Sequence, residues 1–241
     1  MAAKGKRRQA QAPEAAGGAT AAGGENRKVR LIVEAARKVF LEQGYEASST
    51  DLIARTAGVS KATVYAHFES KEALLLALVE DEMRTKAPGD LWRPEPGPLD
   101  VEATLRRIAK RFTAFSLSGE GFGLHRLMIA QASRFPEVGR FFYAAGPQKV
   151  HTQVAAFLSA AVEQDLLTIP NIDLAATQFL GLVRGELPLN WTLSLGAPTK
   201  REVDALVEGG IRVFLAAYGR EAVDARQNRR PPNAIVNQQD I

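Results

Sequence analysis

Gly58 and Ser60 interrupt an otherwise helical stretch, Ser48 to Leu75, and so decide what that stretch can become. Before the break, Ile53, Ala54 and Ala57 give a first helix a small apolar face. Gly58 follows it, where a positive φ lets the chain reverse. Ser60 then offers its hydroxyl to a backbone N–H of the next turn. Val59 and Val64 have the spacing of a hydrophobic staple across that cap. The second helix, Lys61 to about His67, is short. Its Val64 and the following Phe68 face inward, while Lys61, Thr63 and Tyr65 project outward. A further helix follows Ser70, runs to about Thr85 or Lys86, and turns Leu74, Leu75 and Leu78 inward. Two short helices around a capped turn form a helix-turn-helix, whose second helix enters the DNA major groove.

A longer helix precedes this unit, from about Arg27 to Gln43. Val29, Ile32, Ala36, Val39 and Phe40 fall on one of its faces. Gly44 sits just past its end, and Tyr45 can touch Phe40 as in a Schellman cap. Ser48 and Ser49 then offer caps for the helix that begins near Thr50.

The runs AARKVFLEQGYEASST, DLIARTAGVSKATVYAHF and SKEALL together resemble the DNA-binding domain of the tetracycline-repressor (TetR) family of bacterial regulators. The resemblance covers about Val29 to Leu75. Ala62 stands where many members carry Gly; its small size and better helix propensity leave the pattern intact. The resemblance implies a DNA contact for Tyr65, whose phenol would donate to a phosphate oxygen; the alternative is a core aromatic. It also implies backbone contacts for Thr50 and His67, although His67 could simply close its helix. Lys61, at a helix start, suits a phosphate or a guanine edge. Ala62 and Thr63 are the expected base-facing residues, beside the capping Ser60. Lys71 opens the next helix and is expected either at a phosphate or in solvent.

Charge alone does not point to DNA. The formal net charge is +4. Residues 26–85 hold nine basic and nine acidic side chains, so the expected DNA-reading unit must sort them by face. Lys61, Lys71, Arg27, Lys28 and Arg30 belong near DNA on this reading, and Glu80, Asp81 and Glu82 away from it. Residues 1–25 carry Lys4, Lys6, Arg7 and Arg8 among Ala, Gly and Gln. That composition predicts a disordered basic tail, either solubilising or an arm that touches DNA.

Other chemistries find little support. There is no cysteine, which removes disulfides, thiolate nucleophiles and Cys-based zinc sites. His67, His125 and His151 have no metal-binding spacing. No Gly-rich phosphate loop or nucleophile elbow appears, so neither an enzyme nor a cofactor is expected. Nothing resembles a secretory signal or approaches the ~20 apolar residues of a membrane span. The expected location is the cytoplasm.

Pro88 to Pro98 holds four prolines and two glycines and reads as a loop between a DNA-reading domain (26–86) and a second domain (87–219). The second domain is predicted to be helical throughout. Val101, Leu105, Ile108, Phe112 and Phe115 recur at helical spacing; a segment covers Phe122 to Ser133; a long one from Pro136 must kink or break at Gly146-Pro147. Thr199 and Glu202 form a capping box for the last helix. From Arg220 the chain reads as a flexible tail.

The fold class is therefore all-α, a helix-turn-helix domain followed by a second helical domain, which the resemblance implies is for ligand binding and dimerisation. The resemblance implies a homodimer through the last two helices, here Asp173–Leu193 and Thr199–Gly219. Gly181, Gly185, Gly209 and Gly210 on them would let backbones approach across the dimer, or merely loosen each helix. Phe112, Phe115, His125, Met128, Phe157 and Phe179 are candidate effector-pocket residues, with ordinary core as the alternative. No charged pair stands out, which favours a neutral or weakly polar effector. The function expected is a repressor bound to double-stranded operator DNA and released by a small, mostly apolar molecule. The alternative is a DNA-binding dimer without such an effector, controlled by abundance or a protein partner.

Overall fold

A computed structural model describes residues 18–220 of the 241. In order the helices are α1 (Gly18–Gln43), α2 (Thr50–Ala57), α3 (Lys61–His67), α4 (Lys71–Thr85), α5 (Val101–Ser116), α6 (Gly119–Gln131), α7 (Pro136–Tyr143), α8 (Lys149–Glu163), α9 (Ile172–Arg184), α10 (Leu187–Thr192) and α11 (Lys200–Tyr218). One π-helical turn, Ala144–Gln148, joins α7 to α8. The only extended pairing among the described residues is a single bridge between Leu167 and Gly219.

The local signals form as expected. Gly44 has φ 80°, and the rings of Phe40 and Tyr45 lie 5.3 Å apart. Thr199 and Glu202 exchange both bonds of the capping box. Gly146 and Pro147 do not end the helix from Pro136; they open one π turn inside it, which absorbs the missing proline N–H.

Two boundaries differ from the sequence reading. Helix α1 begins at Gly18 rather than near Arg27, so residues 18–25, expected in a disordered tail, are helical. The packed face from Ile32 onward nucleates this helix, which then propagates back toward Gly18. The basic cluster at 4–8 and the tail from 221 lie outside the described residues. The segment Asp173–Leu193 is likewise not one helix. It stops at Arg184, because Gly185 takes φ 53° and ψ −145°, and α10 then starts with Pro188 in its first turn.

Two apolar cores organise the molecule. One joins α1–α4 to α6 and α7 through Ile32, Phe40, Ile53, Val64, Leu75, Leu127 and Val138. The other lies among α5, α8, α9 and α11 and includes Leu105, Val154, Phe157, Phe179 and Phe214. The Pro-rich loop is irregular, but it drops Leu91 into the second core. The helix-turn-helix therefore rests on α6 and α7 through shared core rather than hanging on a linker.

Candidate nucleic-acid interface and ligand cavity

Four caps build the head. Ser49 Oγ accepts from Leu52 N, Ser60 Oγ from Thr63 N at 3.1 Å, and Ser70 Oγ from Ala73 N. Gly58, at φ 67° and ψ 31°, donates to Ala54 and Arg55 carbonyls and turns the chain between α2 and α3. Ile53, Ala54 and Val64 are buried beneath. This fixes the outer face. Tyr65 is 47% exposed, and its hydroxyl lies 3.1 Å from Thr50 Oγ1. Lys61 and Ala62 are exposed, and Thr63 is half-buried with its hydroxyl 2.8 Å from Ser60 Oγ. His67 is half-buried at the last turn of α3.

Lys61 Nζ makes an ion pair of 2.8 Å with Asp51, ten residues earlier, and stands 6.0 Å from the Tyr65 ring centre. The Asp51 carboxylate raises the Lys61 pKa. Thr50, Asp51, Lys61 and Tyr65 thus form one polar patch across α2 and α3. Asp51 was not among the expected site residues, since no local spacing marks it.

Lys71 departs from its expectation. Its ammonium donates to the carbonyls of Tyr45 (2.9 Å) and Ser48 (3.2 Å) and lies 4.2 Å from the centre of the Tyr45 ring. It braces the α1–α2 loop, where the Tyr45 carbonyl also accepts from the Ser48 N–H and hydroxyl, rather than standing free for a phosphate. Burial, together with the nearby Glu72 carboxylate, holds the Tyr45 phenol above its usual pKa.

A second feature lies between α5, α6, α8 and α9, a cavity of about 410 Å³. Phe112, Phe115 and His125 line it as expected. Met128, Phe157 and Phe179 do not; they are buried in the two cores. Met128 sits three residues beyond His125 on α6, and its side chain enters the core shared with the DNA-reading head. Phe122, Phe142, Leu180, Lys149 and Arg184 complete much of the wall and were missed. Burial, and then the Arg184 charge, depress the His125 pKa. Phe122 also stacks on Trp191 of α10, at 4.0 Å and 3°. Cavities of this size and apolarity hold small molecules.

The glycines of the last helices divide. A side chain at Gly210 would meet the Leu182 backbone at 3.1 Å, and one at Gly185 would meet Leu206. Both close approaches lie within one chain, between α9 and α11, and not across a dimer. Gly181 has nothing within 4 Å, and Gly209 has only the tip of Arg212.

Among the described residues no helix is long and apolar enough to cross a membrane, and no cluster of His, Asp and Glu could hold a metal ion.

A capped helix-turn-helix seated on a helical body with a small-molecule-sized cavity defines a DNA-binding transcriptional regulator. Residues 32–78 match the family model described as bacterial regulatory proteins, tetR family. Residues 103–220 match that of the AefR-like transcriptional repressor C-terminal domain. The chain is 30% identical over 156 residues to the HTH-type transcriptional regulator UidR of Escherichia coli strain K12, covering 62% of this chain and 73% of UidR. The structure of a TetR-family regulator from Mesorhizobium loti MAFF303099 matches with TM-score 0.71 at 28% identity, over 81% of this chain and 98% of that one. The flavonoid-responsive regulator FrrA matches with TM-score 0.64 at 37% identity, over 80% and 98%. The chain belongs to the TetR family of bacterial transcriptional regulators, whose members bind operator DNA and act as dimers.

Proposed function

We propose that this chain is a cytoplasmic repressor, not a catalyst, whose dimer reads two operator half-sites with its paired α3 helices and leaves DNA when a small, mostly apolar molecule fills the cavity. The observation that carries the DNA reading is the polar patch of exposed Lys61 and Tyr65 with half-buried Thr50 and Thr63, on a turn fixed by four caps. On this reading residues 26–86 read DNA and residues 87–219 bind ligand and dimerise. Tyr65, Thr50, Ser60 and His67 hold phosphates, and Ala62 and Thr63 face bases. Phosphate contacts set register, and base contacts set preference.

One such head is too small for a selective site, and two-fold pairing doubles it. Leu174, Leu189, Leu193, Leu195 and Val213 on or near α9, α10 and α11 are large apolar side chains left exposed in the single chain, which suits pairing through those elements. Release supports itself on geometry too. Gly146, in the cavity wall, lies against α4: a side chain there would meet Met83 Sδ at 3.2 Å. A ligand that prefers a dimer with mis-spaced α3 helices lowers DNA affinity by that preference, typically ~1–3 kcal/mol. FrrA, by its name, answers to flavonoids, which supports a planar aromatic ligand here.

Selection from random-sequence duplexes tests the DNA reading. The wild type should enrich a two-fold symmetric site, and Thr63→Ala should keep the symmetry but change the preferred bases. Enrichment of no site, or the same bases from both proteins, would overturn the assignment.

A further inference from the structure

The ionisable groups around the cavity are of one sign. His125, His151, Lys149 and Arg184 line it, and no aspartate or glutamate does. His151 is engaged, with Nε2 3.0 Å from the Asp173 carbonyl oxygen and 3.2 Å from Thr177 Oγ1. Several arginines elsewhere on the molecule are matched with carboxylates: Arg37 with Glu82 and Glu120, Arg106 with Glu102 and Glu208, Arg134 with Glu46. The cavity cations are not matched in this way. Among the described residues the Arg184 and Lys149 side chains have no hydrogen bond and no anionic partner. Arg184 ends α9, where Gly185 turns the chain away, so it stands at the edge of an apolar wall of aromatic rings. A cation beside low-dielectric walls focuses its field into the cleft.

We propose that the cavity ligand is an anionic aromatic amphiphile, with its rings among Phe112, Phe115 and Phe142 and its carboxylate, sulfonate or phenolate end at the Arg184 guanidinium. This rests on the effector-cavity reading above and replaces the neutral ligand that the sequence favoured. A guanidinium takes such an oxyanion in two parallel hydrogen bonds, which fixes the ligand's orientation as well as its charge. Lys149, at the start of α8, adds a second positive charge at the wall.

Two dyes that share one ring system test this on the full-length protein. 8-Anilino-1-naphthalenesulfonate carries the anion, and N-phenyl-1-naphthylamine lacks it. The sulfonate should bind saturably and at least ~5-fold more tightly than the amine, the gain expected of one charge-assisted contact. Arg184→Gln should weaken the sulfonate by about 5- to 10-fold and leave the amine within about twofold. Arg184→Lys should keep much of the sulfonate affinity. Lys38→Gln, an equal loss of charge on the exposed face of α1, should change neither dye. Equal affinities for the two dyes, or equal losses for both on Arg184→Gln, would overturn the anionic end while leaving an apolar effector cavity in place. Binding of neither dye, or binding of both unaltered by Leu180→Trp in the cavity wall, would overturn the cavity itself.

Discussion

Asp51 is an acid placed where phosphate is expected. Its pairing with Lys61 cancels much of the charge on the reading face while DNA is absent. Both side chains are more than half exposed, so the pair contributes little stability. Its cost falls on binding instead. Asp51→Asn should raise affinity for random duplex by about 3- to 10-fold at low salt, steepen the salt dependence by about one ion, and narrow the gap between operator and random DNA. Titrations at several salt concentrations read all three. His125 supplies a second test. Its folded pKa lies below the usual value, so the unfolded chain binds the extra proton first as pH falls. This part of the stability is present above the unfolded pKa and declines as pH drops through it. Melting temperatures of the wild type should therefore fall more between pH 7.5 and 5.5 than those of His125→Asn. The caps at this scale were legible in the sequence because a cap and its N–H lie three residues apart. Asp51–Lys61, Lys71 over Tyr45 and Arg184 at the cavity were not, since each depends on how separate elements pack.

Among elements, α4 holds the two halves together. Glu82 on α4 is only 3% exposed. It accepts from Arg37 of α1 at 2.9 Å and pairs with Lys86 at 3.1 Å, and both cations also reach Glu120 at the start of α6. The Glu120 carboxylate is held below its usual pKa, chiefly by Arg37. Arg37→Met would leave a buried carboxylate with one partner, at a cost of about 2–3 kcal/mol, read as a lower urea midpoint. Met83, one residue on, touches the π turn that lines the cavity. Met83→Ala should leave dye binding and DNA binding each within about threefold but reduce the effect of one on the other by about 5-fold, as for a coupling residue. Periodicity located α5 and its Leu105–Ile108 face, yet it could not divide one apolar set between two cores and a cavity. Phe112 and Phe115 go to the cavity, while Phe157, Phe179 and Met128 are absorbed by core. Nor could it foresee that Gly185 ends α9, since a glycine within a helical pattern has several uses.

For the whole molecule, the helix-turn-helix and the all-α class were readable from residues 29–75 and from the spacing of the later apolar residues. The shape of the ligand site was not, because it is assembled by α5, α6, α8 and α9 from residues up to some seventy apart. Pairing of two chains is the remaining step. Val213→Asp, on the outward side of α11, should shift the protein from dimer to monomer in light scattering and abolish operator binding without unfolding the head. The account turns finally on selective reading by α3. The most direct measurement is fluorescence anisotropy of duplex from upstream of the coding region, beside a scrambled duplex of equal composition, at about 0.15 M salt, where non-specific binding is typically ~10⁻⁴–10⁻⁶ M. The account predicts binding of the upstream segment at least ~10³-fold tighter, two chains per site, with Tyr65→Ala weakening binding to both duplexes and Thr63→Ala eroding the preference between them. Equal weak binding to both duplexes, and to every sequence recovered by random selection, would contradict it.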